Sequence, residues 1–146
     1  MGMLDVNTKF SSAQAPTGST GDIASTNTYD SGSVASSDIG MNDELWLNVL
    51  CSTTCTSAGA ATVAAVLQDS ADNSTFADVL VGATFALASL TAGTTVMQVC
   101  LPVGLRRYTR VVYRVGTAAL TAGKFEAFYS LDVQRNVARP SGFTVA

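Results

Sequence analysis

The sequence reads as an all-β protein: an antiparallel β-sandwich or barrel preceded by an extended arm. Three observations lead there. Apolar and polar residues alternate with period 2 in one segment after another from Glu44 onward. The connections between these segments are short and rich in Gly, Asn, Asp and Ser, the residues of turns. Outside an Ala-rich stretch at 58–67, no run of twelve residues sustains a 3.6-residue period, so the alternating helices of a parallel α/β sheet are not expected.

The elements follow in chain order. Residues 1–27 read as an extended arm, with Leu4, Val6 and Phe10 as anchors for docking on another surface. Residues 11–42 are rich in Ser, Thr, Gly, Asn and Asp and cannot bury enough surface to fold alone. Residues 28–135 read as the sandwich domain and 136–146 as a C-terminal tail. In Glu44–Cys51, Leu45, Leu47, Val49 and Cys51 share one face, and Trp46, Asn48 and Leu50 share the other. Trp46 therefore points outward and is a candidate interface anchor.

Thr62–Asp69 places Val63, Ala65 and Leu67 inward. A helical stripe of Val63, Val66 and Leu67 is the alternative, and Thr62 with the preceding glycine favours the strand. Phe76–Val81 and Thr84–Leu90 read as two short strands. Thr94–Leu101 alternates Met97, Val99 and Leu101 with polar residues until Pro102-Val103-Gly104 breaks it. Thr109–Val115 sets Thr109, Val111, Tyr113 and Val115 against Arg110, Val112 and Arg114. In Lys124–Val133 one face holds Phe125, Ala127, Tyr129, Leu131 and Val133. The last two strands are expected to form a hairpin through Gly116–Gly123.

One tetrapeptide occurs twice, as Leu90-Thr91-Ala92-Gly93 and Leu120-Thr121-Ala122-Gly123, and Thr56-Ser57-Ala58-Gly59 nearly matches it. The flanking strands share no side-chain pattern beyond alternation, so this is turn chemistry and not a structural repeat.

Composition narrows the function. Of 146 residues, 47% are hydrophobic and only 13% charged, which suits strands and a buried core. The net charge of −3 is unevenly spread. Residues 1–105 hold nine acids and one base, and residues 106–146 hold seven bases and two acids. The acidic balance argues against nucleic acid as the partner. The tract Arg106-Arg107-Tyr108-Thr109-Arg110 is the exception. Arg106 and Arg107 are candidate contacts for an acidic surface, against the plainer reading of outward arginines guarding an edge strand.

There is no histidine, which removes Cys/His zinc sites and histidine-based catalysis. Cys51, Cys55 and Cys100 are an odd number and read as inert buried thiols. The loop Asp69-Ser70-Ala71-Asp72-Asn73-Ser74 offers oxygen ligands for calcium, but its spacing is that of an ordinary turn. No phosphate-binding or nucleophile motif is present, so neither an enzyme nor a cofactor site is expected. No secretory signal and no apolar span of about 20 residues is evident, so no membrane partner is expected and the chain reads as made in the cytoplasm.

Several tracts, each weak alone, run in order over residues 3–132. They begin with Met3-Leu4-Asp5-Val6-Asn7-Thr8-Lys9-Phe10-Ser11-Ser12-Ala13-Gln14-Ala15. Asp38-Ile39-Gly40 before Leu45-Trp46-Leu47 follows, then Gly59-Ala60-Ala61-Thr62-Val63, then Leu101-Pro102-Val103-Gly104 with Arg107-Tyr108. Val115-Gly116-Thr117-Ala118-Ala119-Leu120-Thr121-Ala122-Gly123-Lys124-Phe125 completes the set. Together they resemble the small capsid cement, or decoration, proteins of tailed bacteriophages. The resemblance implies a jelly-roll or similar β-sandwich that trimerises on the outer surface of the virion head and bridges neighbouring major capsid proteins. It carries over no catalytic residue. The competing class is a carbohydrate-binding jelly-roll for host attachment, which needs clustered exposed aromatics and calcium ligands.

Overall fold

The computed structural model describes residues 5–32, 45–131 and 133. Leu4, the Asp38-Ile39-Gly40 tract and the tail 136–146 lie outside the described residues.

A 3-10 turn at Val6–Thr8 leads into nine strands: β1 (Lys9–Gln14), β2 (Gly21–Ala24), β3 (Tyr29–Asp30), β4 (Trp46–Ser57), β5 (Thr62–Ser70), β6 (Ala77–Ala86), β7 (Thr95–Cys100), β8 (Tyr108–Gly116) and β9 (Leu120–Ser130). They form two antiparallel sheets, β1-β9-β4-β7 and β2-β8-β5-β6, with the short β3 also on β8. The pairs β1–β9, β2–β8, β4–β7 and β5–β6 nest one inside the next. Such nesting is one long hairpin rolled into a sandwich, the jelly-roll arrangement.

The core lies between the sheets. Leu45, Leu47, Val49 and Cys51 face Val63, Ala65, Leu67, Val111, Tyr113 and Val115, all fully buried. The period-2 faces read from β4 and β8 are therefore the inner faces. Tyr129 joins the sheets by donating to Thr109 Oγ1 at 2.9 Å, and the Phe10 and Tyr29 rings meet its ring edge-on. The outer face of the second sheet is also covered. Val66 and Val112 sit there, yet both are buried. The stems of Arg110 and Arg114 and the side chains of Gln68, Asp78 and Asp22 extend across that face.

The strand expected at Thr62–Asp69 is β5, Thr62–Ser70, and the helical alternative does not form. Several other expectations are corrected. The two short strands at 76–90 are one strand, β6, followed by a 3-10 turn at Leu87–Ser89. Two register shifts against β5 put neighbours out of phase and make the alternation look broken. The hairpin expected between Thr109–Val115 and Lys124–Val133 does not form, because β8 and β9 belong to different sheets. The three residues Thr117–Ala119 carry the chain across the sandwich, with Thr117 at a φ of 66°.

The arm region contributes two edge strands. β1 pairs with β9 and β2 with β8. Gln14 and Asn27 bind the two together. The Gln14 side chain donates to Ala24 O and accepts from Thr26 N, and Asn27 N donates to Phe10 O.

Candidate interaction surface

The strand directions give the sandwich two different ends. At one end lie the 3-10 turn before β1, the start of β4, the loop 71–76, the loop 101–107 and the last residue of β9. The other end carries the two Leu-Thr-Ala-Gly tracts and the crossing at Thr117–Ala119.

The first end gathers three of the four large apolar side chains that are most exposed among the described residues. These are Val6 at 79%, Val103 at 89% and Leu131 at 64%; the fourth, Val81, lies on β6. Register brings them there. Lys9 is opposite Phe128, which carries Val6 toward Leu131. Trp46 is opposite both Ser130 and Cys100, which sets Leu45 between Leu131 and Leu101. Leu101 N donates to Leu45 O at 2.9 Å, and Val103 stands two residues further on.

Local hydrogen bonds and ion pairs shape the turns at this end. Asp5 Oδ1 accepts from Asn7 N and caps the 3-10 turn. Gly104, at a φ of 91°, closes the turn that presents Val103. Arg106 anchors the far side of the loop. Its backbone N–H donates to Asp69 Oδ2, its Nε and Nη2 donate to Asp69 Oδ1, and its Nη2 also reaches the Asp69 carbonyl. The Asp69 carboxylate is buried, and the Arg106 guanidinium holds its pKa below the usual value. Arg107 makes a bidentate pair with Asp30, at 2.8 and 3.0 Å, and lies 4.9 Å from the Tyr108 ring. The Asp30 carboxyl is likewise held low by that pair.

Val6, Trp46, Arg106 and Arg107 thus share one end. Trp46 is half-buried on the outer face of its sheet, and the arginines are partly exposed but already ion-paired. Phe10 does not belong to this surface. Its ring is 1% exposed and meets Tyr129 at 4.7 Å, because β1 is part of the sandwich. Leu131 departs from the inward face expected for it, since β9 ends at Ser130.

Val103 and Leu131 are exposed candidate contacts that sequence reasoning misses. The signal for Val103 is its place between Pro102 and Gly104, an apolar residue at a turn tip. Leu131 has none, because parity alone sends it inward.

The loop at 70–75 uses its own carboxylate. Asp72 Oδ1 accepts from Thr75 N, Ser74 N and Ser70 Oγ, which lower its pKa to about 2. Its best-placed oxygen therefore serves the turn.

A protein-family model described as Bbp16 matches residues 10–129, from within β1 to within β9. No curated protein matches the sequence.

Proposed function

The chain belongs to the Bbp16 family, and on that premise we propose that it is a structural virion protein. In this reading it is a non-catalytic cement protein that binds the outside of a tailed-phage head as a trimer and bridges neighbouring major capsid proteins. The observation that carries the reading is the set of exposed apolar side chains, Val6, Val103 and Leu131, gathered at one end of the sandwich. Exposed apolar side chains gathered together suit docking to another protein surface. A cement protein prefers the assembled shell and so stabilises it by mass action. A trimer repeats a modest contact three times, and the repeats reinforce one another.

The test is reconstitution. Heads stripped of the protein are mixed with purified chain and sedimented. Saturable binding at a regular stoichiometry, with a raised shell melting temperature, is the expected result. The double variant Val103→Asp, Leu131→Asp should stay folded and lose most of the binding. If the double variant binds as well as the wild type, this surface is not the contact. If the wild type binds no heads, the cement role is wrong.

A further inference from the structure

A second feature lies at the opposite end, inside β4. The Cys51 and Cys55 sulfurs are 3.8 Å apart, in van der Waals contact, and both thiols are free and buried. Residues four apart on a regular strand would not meet. They meet here because the pairing of β4 with β9 breaks register three times, between Cys51 and Thr53, Thr53 and Thr56, and Thr56 and Ser57.

Both Leu-Thr-Ala-Gly tracts grip this bulge. On one side Cys55 N donates to Leu90 O, Gly93 N to Cys51 O, and Ala92 N to Thr54 Oγ1. On the other, Ala122 is opposite Thr56, the Thr56 and Thr121 hydroxyls lie 2.8 Å apart, and Gly123 lies directly against Cys55. Ser52, Thr53 and Thr54 are exposed, and the Cys51 thiol donates to the Thr53 carbonyl at 3.2 Å.

We propose that Cys51 and Cys55 form a modification site, a dithiol that small peroxides convert to an intrachain disulfide across the bulge. Burial pushes both thiols up, Cys55 to about 12, so a thiol gives up its proton only as it attacks; its sulfur takes a peroxide oxygen and the O–O bond breaks. The departing hydroxide takes a proton and leaves as water, and a sulfenic acid remains. The second thiol attacks that sulfur; the S–S bond forms, the S–O bond breaks and a second water leaves. Two thiols are oxidised by two electrons and one hydrogen peroxide is reduced to two waters.

Two observations favour this pair. The resolving sulfur is in contact before oxidation begins. Burial excludes bulky disulfide oxidants but not peroxide. Cys100 sits at the other end, opposite Trp46 on the outer face. A chain that leaves a reducing cytoplasm for an oxidising medium would gain the link after release. That setting rests on the proposed virion role, whereas the link itself does not.

The test uses isolated full-length chain with Cys100→Ala, so that only the pair is read. The protein is treated with hydrogen peroxide, denatured, alkylated and mapped by mass. Loss of both alkylation sites together with the mass of two hydrogens, on one peptide and reversed by dithiothreitol, is the expected result. Cys55→Ser in the same background should abolish it. Oxygen added without a link, links only between chains, or two thiols that stay alkylatable would each overturn the proposal. None of these results depends on whether the chain binds heads.

Discussion

Asp69 shows how single charges are used. Its buried carboxylate is filled by Arg106, and its pKa is lowered by that pair. Asp22 is lowered by Arg114, Asp30 by Arg107, and Asp78 by Gln68 and then Arg114. Each therefore binds its proton less tightly folded than unfolded. Stability from such groups is complete above the ordinary carboxylate pKa, roughly 3.9, and is lost as pH falls below it through the lowered folded values. Urea midpoints should be flat from pH 7 to 5 and then decline. Asp69→Asn should cost roughly 2 kcal/mol at neutral pH, less than a fully buried pair because Arg106 is partly exposed. Its deficit against wild type should shrink as pH falls, because wild-type Asp69 is then protonated too; a constant deficit would refute the linkage.

Gly123 is the second decisive residue. It lies in β9 at a φ of 133°, and an added Cβ would overlap the Cys55 sulfur and stand 3.0 Å from Cys55 Cα. Gly123→Val combines backbone strain with overpacking and should cost about 3 kcal/mol or more in denaturant titrations.

Among the elements, β1 changes the most in meaning. Its sequence reads as an arm for docking elsewhere, yet Phe10 is core and Lys9, Ser11 and Gln14 pair with β9. Val6→Ala, at an exposed position, should leave thermal stability nearly unchanged, whereas Phe10→Ala should cost about 3 kcal/mol or more. Melting temperatures of the two variants separate an arm from a strand. The difference between β1 and β8 explains what is legible. In β8, Thr109, Val111, Tyr113 and Val115 keep strict period 2, and the structure keeps their face. In β1 the register slips between Lys9 and Ser11 and again before Gln14, and Ala13 takes a φ of 49°. A bulged, polar edge strand leaves almost no periodic trace. β6 reads as two strands for the same reason.

At the scale of the molecule, the charge asymmetry has an internal explanation. Arginines of the basic C-terminal part meet aspartates of the acidic part: Arg106 with Asp69, Arg107 with Asp30, and Arg114 with Asp22 and Asp78. The pattern looks like a signal for an acidic partner, but it pairs strands distant in sequence. Pairing at that range cannot be read from spacing, which is also why β8 and β9 look like a hairpin. The outward Trp46 and the end shared by Val6, Arg106 and Arg107 are partly legible; the rim of Val103 and Leu131 needs the register. Because these arginines are already neutralised, head binding should depend on apolar contact. Raising salt from about 0.05 to about 0.5 M should weaken it by less than about threefold, whereas a contact made by free arginines would be screened far more.

The nested pairing has a practical consequence. The chain enters β1 and leaves β9 at the same end, beside the exposed apolar side chains, so a peptide inserted directly before β1 or after β9 would crowd that surface. The exposed Ala58-Gly59-Ala60 loop lies at the far end, between β4 and β5. An epitope inserted between Gly59 and Ala60 would face away from whatever the rim holds, making that loop the natural place to display a foreign sequence on this scaffold.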